Sequence, residues 1–292
     1  MHTRLSSLAL VLLFGAATRS VAQSERDGPV LRARHMAPTA SFKIWNSAGS
    51  VRLVAWDRDS LVIRGRVPSS AQFGFGGSET GMKLVIEGNS NSGTASPADL
   101  VIYLPRRGNV SIKTVTADID AADVSGSYYT VSGSIHLSGS ATSIEVESMN
   151  GNLDLDVTTP WIRARTGEGH LLLRGKPEDV DAATISGTLD IATTTPLRGQ
   201  FSSVSGDIHY AGAPATRAIF EFSNHSGAVD LALPPSAAGT FALSSVVGAI
   251  ENAFSRVKPV ATPPRASRFT LGRGGASVTV RTFKGVIRLR PE

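Results

Sequence analysis

Gly133, Gly151, Gly169 and Gly187 stand 18 residues apart, and Gly206, Gly227 and Gly248 follow at intervals of 19, 21 and 21. Gly285 comes 37 residues later, about two further periods. A recurrence of this length restricts the chain to stacked structural units, because one such unit cannot bury its apolar face alone. Two residues after each glycine the chain carries Ile135, Leu153, Leu171, Leu189, Ile208, Val229, Ile250 and Ile287. Four residues after it come Leu137, Leu155, Leu173, Ile191, Tyr210, Leu231, Asn252 and Leu289. Seven and five residues before it lie pairs such as Ile144/Val146, Ile162/Ala164, Phe220/Phe222 and Val278/Val280. Both sets alternate with the period of a strand.

The expected fold is therefore all-β: a single-chain β-solenoid of 18–21-residue turns, with two short strands per turn facing a shared core. Glycine at the corner is expected to supply a positive φ and a tight bend. A β-sandwich is the rival, since short alternating strands suit it as well, but it gives no reason for a fixed period. The frame recurs early, at Phe42, Ile44, Gly49, Val51 and Leu53, and again around Gly108; between Gly108 and Gly133 its phase is ambiguous.

The N-terminus reads as a secretory signal peptide over 1–22, with Arg4, the apolar run Leu8–Ala17 and the small-residue site Ser20-Val21-Ala22. The chain is thus expected in the periplasm, on the cell surface or secreted. Residues 23–38 read as a linker and 39–292 as the solenoid domain, with irregular turns over 39–116, regular repeats over 117–255 and a basic excursion and cap over 256–292. Segments 67–81 and 88–98 read as flexible loops. There is no cysteine, so an exported chain must be held by burial and backbone pairing alone.

Loss of Arg4 and Arg19 with the leader lowers the formal charge from +5 to +3. That small value hides a split. Residues 23–116 carry 12 basic and 7 acidic side chains, 117–255 carry 6 and 16, and 256–292 carry 9 and 1. A basic end beyond an acidic middle is compatible with envelope polymers, a cell surface, another protein, or head-to-tail self-association. Nucleic acid is not expected as a partner of an exported chain with an acidic middle.

From Ser41 to Pro291 the chain resembles a family of exported bacterial proteins named "putative adhesins", a domain of unknown function with a β-solenoid fold. The likeness is carried by FKIWNSAGSVRLVAWDRDSLVIRG, by the serial SG-x-[IL]-x-[IL] turns and by the ending LGRGGASVTVRTFKGVIRLRP. The resemblance implies surface interaction at the cell envelope and transfers no catalytic residue.

The slot between the two apolar columns should face solvent. It holds Asp120, His136, Asp154, Leu172, Asp190, His209, Asp230 and Glu251, then Arg288 in the last turn. Carboxylates stacked at one strand spacing of about 4.8 Å would repel one another. Imidazoles interrupt them twice. The column reads first as a solvated polar face, and its Asp and His types also allow a divalent cation. Asp118, Asp120 and Asp123 form the densest carboxylate set and the candidate metal site.

No G-x-S-x-G, H-E-x-x-H, phosphate-binding loop or cysteine nucleophile is present. Paired carboxylates such as Asp154 and Asp190 leave a polysaccharide hydrolase or lyase as the alternative activity; otherwise no enzyme and no cofactor is expected. Arg256, Lys258, Arg265, Arg268, Arg273, Arg288 and Arg290 are the candidate basic partner surface, or a charged cap that blocks edge aggregation. His225 falls in a column held elsewhere by Val131, Met149, Ile185, Val204 and Val246, and is expected to be partly buried. Trp45 and Trp161 fall at outward positions, where exposed rings can stack on sugars.

Overall fold

The computed structural model describes residues 28–88, 97–193, 196–254 and 265–292, and among them every regular element is a strand. The leader over 1–22, Arg256 and Lys258 lie outside the described residues. The first strands are β1 (Gly28–His35), β2 (Ser41–Asn46), β3 (Gly49–Trp56), β4 (Ser60–Val67), β5 (Ala71–Ser78), β6 (Gly81–Gly88), β7 (Ala98–Pro105) and β8 (Asn109–Thr114). The middle holds β9 (Asp118–Ala122), β10 (Ser125–Thr130), β11 (Ile135–Ser140), β12 (Ile144–Ser148), β13 (Leu153–Thr166), β14 (Leu171–Thr184), β15 (Leu189–Thr193) and β16 (Arg198–Ser203). The last are β17 (Ile208–Ala211), β18 (Ile219–Asn224), β19 (Val229–Leu233), β20 (Gly239–Ser245), β21 (Ile250–Asn252), β22 (Arg265–Leu271), β23 (Ala276–Thr282) and β24 (Ile287–Pro291).

Pairing follows the repeat. Ile135 sits opposite Leu153, Leu153 opposite Leu171, Leu171 opposite Leu189 and Leu189 opposite Ile208, all in parallel register. Strands before each glycine form one ladder and strands after it form a second. The 14-residue strands β13 and β14 run through both, so the two ladders belong to one sheet. Parallel pairing throughout the interior is not the antiparallel pattern of a Greek-key sandwich.

The expected apolar columns are the core. Leu153, Leu155, Leu171, Leu173, Leu189, Ile162 and Val180 are fully buried, and Phe201, Phe220, Phe222 and Phe241 fill its wider part. Phe201 stacks on Phe222 with centroids 4.9 Å apart, and Tyr210 meets Phe220 edge-on at 5.5 Å. Burial raises the Tyr210 hydroxyl above its ordinary range, because ionisation there would strand a charge among apolar rings.

The corner glycines act differently from the expectation. None of Gly133, Gly151, Gly169, Gly187, Gly206, Gly227, Gly248 and Gly285 has a positive φ. They stack on one another so closely that a Cβ on Gly187 would lie 1.9 Å from the Gly169 carbonyl oxygen, and one on Gly206 would lie 1.8 Å from that of Gly187. Glycine is kept there for close approach of successive layers.

Two segments depart from the sequence reading. Residues 28–35, expected within a linker, form β1, antiparallel to β4 from Gly28↔Val67 to His35↔Ser60. Part of the expected loop 67–81 is β5, a hairpin partner of β6. Alternating Val30, Phe73 and Phe75 explain both: each finds a core to cover. The order of layers also departs from the order of the chain. β2 pairs with both β6 and β8, and β3 with both β7 and β9, so the first turn lies one layer inside its end. At the other end β23 lies between β18 and β20, and β24 between β19 and β21. Antiparallel strands then close the ends: β5 on β6, β4 on β7 and β22 on β20.

Candidate functional site

The outward slot becomes a physical column whose sequence is set by the layer order. It reads Arg52, Asp120, His136, Asp154, Leu172, Asp190, His209, Asp230, Arg288, Glu251 along the stack. No two carboxylates are neighbours. Arg288, the last residue of the column in the chain, is interleaved between Asp230 and Glu251. Its Nε lies 3.2 Å from Glu251 Oε2, and Arg290 Nε lies 3.0 Å from Asp230 Oδ1. Asp154 takes Arg174 Nη2 at 2.7 Å and faces His136 Nδ1 at 3.6 Å. Asp190 faces His170 Nε2 at 3.3 Å. Asp154 and Asp190 are two layers apart with Leu172 between them, and each is committed to its own basic partner.

The three aspartates of the candidate metal site are not brought together. Asp118 Oδ1 accepts the Ser134 N–H at 2.8 Å, Asp120 stays in the column, and Asp123 turns away at a φ of 59° after β9. Asp123 Oδ1 accepts the Ser140 N–H at 2.8 Å and its Oδ2 meets Arg106 Nη1 at 3.1 Å. The Ser140 hydrogen bond, with Arg106 behind it, holds the Asp123 carboxyl below the usual carboxylate range. Among the described residues no group of three or more His, Asp or Glu is placed to hold a metal ion.

The basic set divides. Arg265 Nη1 donates to the Val247 and Gly248 carbonyls, and Arg288 and Arg290 are paired as above. Arg268 and Arg273 remain exposed.

Of two columns at the corner, one escaped the sequence reading and the other was expected to be partly buried. Three residues before each glycine stands a buried polar side chain: Thr130, Ser148, Thr166, Thr184, Ser203, Asn224, Ser245 and Thr282. At four corners the glycine N–H donates to it, at 3.0 Å in Gly133→Thr130, 2.7 Å in Gly151→Ser148, 3.2 Å in Gly169→Thr166 and 3.1 Å in Gly227→Asn224. This satisfies a donor that the bend removes from the ladder. The signal was present as [TSN]-x-x-G, as in TVSG, SMNG and NHSG.

The second column is the one that holds His225. Apart from the half-buried Val131 it is exposed: Met149 is 51% exposed, Ile185 60%, Val204 52% and Val246 44%. His225 is also exposed and lies flat on Phe283, with centroids 5.0 Å apart. Gly167 replaces the side chain between Met149 and Ile185 and leaves a cleft of about 440 Å³ there. The stripe lies outside the strands, where each unit turns the corner, so strand alternation does not bury it.

No known protein family matches the chain, and no curated protein is similar to it. Among solved structures it is similar to a "putative adhesin" from Parabacteroides distasonis, at 9% identity and a TM-score of 0.47 over 90% of this chain and 98% of that one. A "putative adhesin" from Bacteroides fragilis gives 12% and 0.44 over 90% and 97%. A "putative cell adhesion protein" from Clostridium sporogenes gives 10% and 0.25 over 91% and 100%. At these scores the likeness carries no conclusion about function; the names are those of the bacterial adhesin group that the repeat resembles.

Proposed function

We propose that the chain is an exported β-solenoid of the cell envelope that works without catalysis, as an adhesin-like surface making many weak contacts. The observation that carries this reading is the exposed apolar stripe at the corner, Met149, Ile185, Val204, the His225–Phe283 pair and Val246. Apolar side chains clustered on a monomer's surface mark a place of interaction. Here they recur in successive layers, with one gap at Gly167. Each contact is weak, and many at fixed spacing add through effective concentration. The partner is an envelope polymer, a cell surface or another protein.

The test is retention of protein-coated beads on bacterial envelope preparations, at graded coating density. Retention should rise steeply with density and fall when Met149, Ile185 and Val204 are together replaced by Ser, with melting little changed because all three are exposed. Equal retention of the variant refutes the stripe. Release of sugar fragments from a polysaccharide panel replaces the reading with an enzyme.

A further inference from the structure

The ladder of strands before the glycines is charge-matched along its middle. Arg163 lies 3.6 Å from Glu145 and 3.1 Å from Asp181, Arg165 lies 3.4 Å from Asp181, and Arg198 lies 3.7 Å from Asp179. Towards the β5 end the same ladder changes character. Lys83 of β6, Lys43 of β2 and Lys113 of β8 are exposed on three successive layers. Lys43 and Lys83 are direct register partners, one strand spacing of about 4.8 Å apart. Like charges placed opposite each other destabilise a sheet. None of the three has a carboxylate partner among the described residues.

Trp45 sits between them, flanked by Val85 on one side and Lys113 on the other. It differs from the other two tryptophans. The Trp56 ring stacks on Tyr103 and its indole N–H donates to Ser60, and the Trp161 ring lies under Arg163. The half-exposed Trp45 ring has no such partner among the described residues. Together these residues line an open cleft of about 520 Å³, with Ser111 on its floor and Glu87 as its one acid. Ser111 Oγ accepts a hydrogen bond from Ser127 at 3.2 Å, which leaves its own proton to offer. Beyond Val85 and Lys83 the register places Gly74 and Gly76, and a Cβ at Gly76 would meet nothing within 4 Å. The cleft is therefore open along the sheet towards its end.

We propose that this cleft binds an acidic polysaccharide, with its carboxylates on Lys43, Lys83 and Lys113 and one pyranose ring against the Trp45 indole. An ammonium is a strong partner for a carboxylate, and the apolar face of a sugar ring covers an indole that would otherwise face water. Lys83, Lys43 and Lys113 stand on successive layers about 4.8 Å apart, so neighbouring carboxylates of one extended chain can each meet an ammonium. The proposal deepens the surface-binding reading by naming a ligand class, and uses residues away from the corner stripe.

Polygalacturonate is the probe, with dextran as the neutral control and phosphatidylglycerol vesicles as the anionic lipid control. Binding is followed by titration of the full chain in rising salt. The wild type should bind polygalacturonate, with affinity falling as salt rises, and neither dextran nor vesicles. Lys43→Gln/Lys83→Gln/Lys113→Gln should weaken binding roughly tenfold or more and flatten the salt dependence. Trp45→Leu, with its melting checked, should weaken binding and leave the salt dependence in place. Absence of wild-type binding, equal binding by the lysine variant, or preference for vesicles overturns the proposal. So does an unchanged Trp45→Leu, since the lysines would then attract any polyanion. The corner-stripe variant should bind polygalacturonate normally, so that loss of bead retention and loss of polygalacturonate binding are separate failures.

Discussion

Replacing Gly187 by Ala should open the stack at one layer. The added Cβ would lie 1.9 Å from the Gly169 carbonyl oxygen and 2.8 Å from that of Glu168, both backbone atoms of a corner pinned by the Glu168 N–H on the Met149 carbonyl and the Gly169 N–H on Thr166. Ordinary contact requires a separation of about 3.2 Å or more, so the layers must part locally by about 1 Å. The hydrogen bonds that cross this corner, Ser186 N–H to Gly167 at 2.9 Å and Leu171 N–H to Thr188 at 2.9 Å, would lengthen past useful range. Two weakened bonds at about 1 kcal/mol each and a backbone overpacking of about 1–2 kcal/mol place the cost near 3 kcal/mol. That corresponds to a melting decrease of roughly 6–12 °C for a chain of this size. Urea unfolding followed by circular dichroism measures it. Gly76→Ala is the control, since its Cβ has open space and no positive φ; it should stabilise by about 0.5 kcal/mol through the unfolded chain. If the two substitutions differ by less than 0.5 kcal/mol, close approach is not why glycine stands at the corner.

Thr166→Val should cost about 1–2 kcal/mol, because the Gly169 N–H loses its 3.2 Å acceptor inside the corner; the same urea titration reads it. Phe222→Ala should cost about 4 kcal/mol by leaving a cavity against Phe201, Phe220 and Tyr210, and a loss under 1 kcal/mol would mean the aromatic cluster is loosely packed. Asp123→Asn keeps a residue type suited to its φ of 59° and removes the charge. The folded Asp123 carboxyl is held below the ordinary aspartate value of about 3.9, so its stabilisation is present above that pH and is lost as pH falls through the lower folded value. The variant should be about 0.5 kcal/mol less stable at pH 7, after allowance for solvent screening, and the difference should shrink as the pH falls below the ordinary aspartate range. A difference unchanged by acidification would assign the loss to packing instead.

The two apolar columns were legible because a strand facing one core must alternate, and a period of 18 leaves no other register. Ile135, Leu153, Leu171 and Leu189 could be matched as partners before any coordinates. The slot between them was legible as outward for the same reason. The polar column at Thr130, Ser148 and Thr166 was also present in the sequence. Its meaning depended on knowing that at Gly133, Gly151 and Gly169 the corner N–H turns to the side chain three residues before it.

The corner stripe was misjudged because apolar side chains at Met149, Ile185 and Val204 look like core by composition. Strand alternation stops at the bend, so their phase carries no information about burial. The basic C-terminal set looked like one patch because its members are close in sequence. Arg288 and Arg290 in fact lie among acidic residues of earlier turns, where each finds a carboxylate.

Local sequence thus determined the strands, their spacing and the composition of the core, since those depend on alternation within one turn and repetition between turns. The tertiary structure alone decided which layers touch at the ends. β2–β3 and β23–β24 are inserted between turns that are consecutive in the chain, and no local propensity encodes that choice. It sets Arg52 beside Asp120, Arg288 between Asp230 and Glu251, and Lys43 beside Lys83. Charge neighbours across layers follow from stacking order, and stacking order is fixed by how the end turns pack.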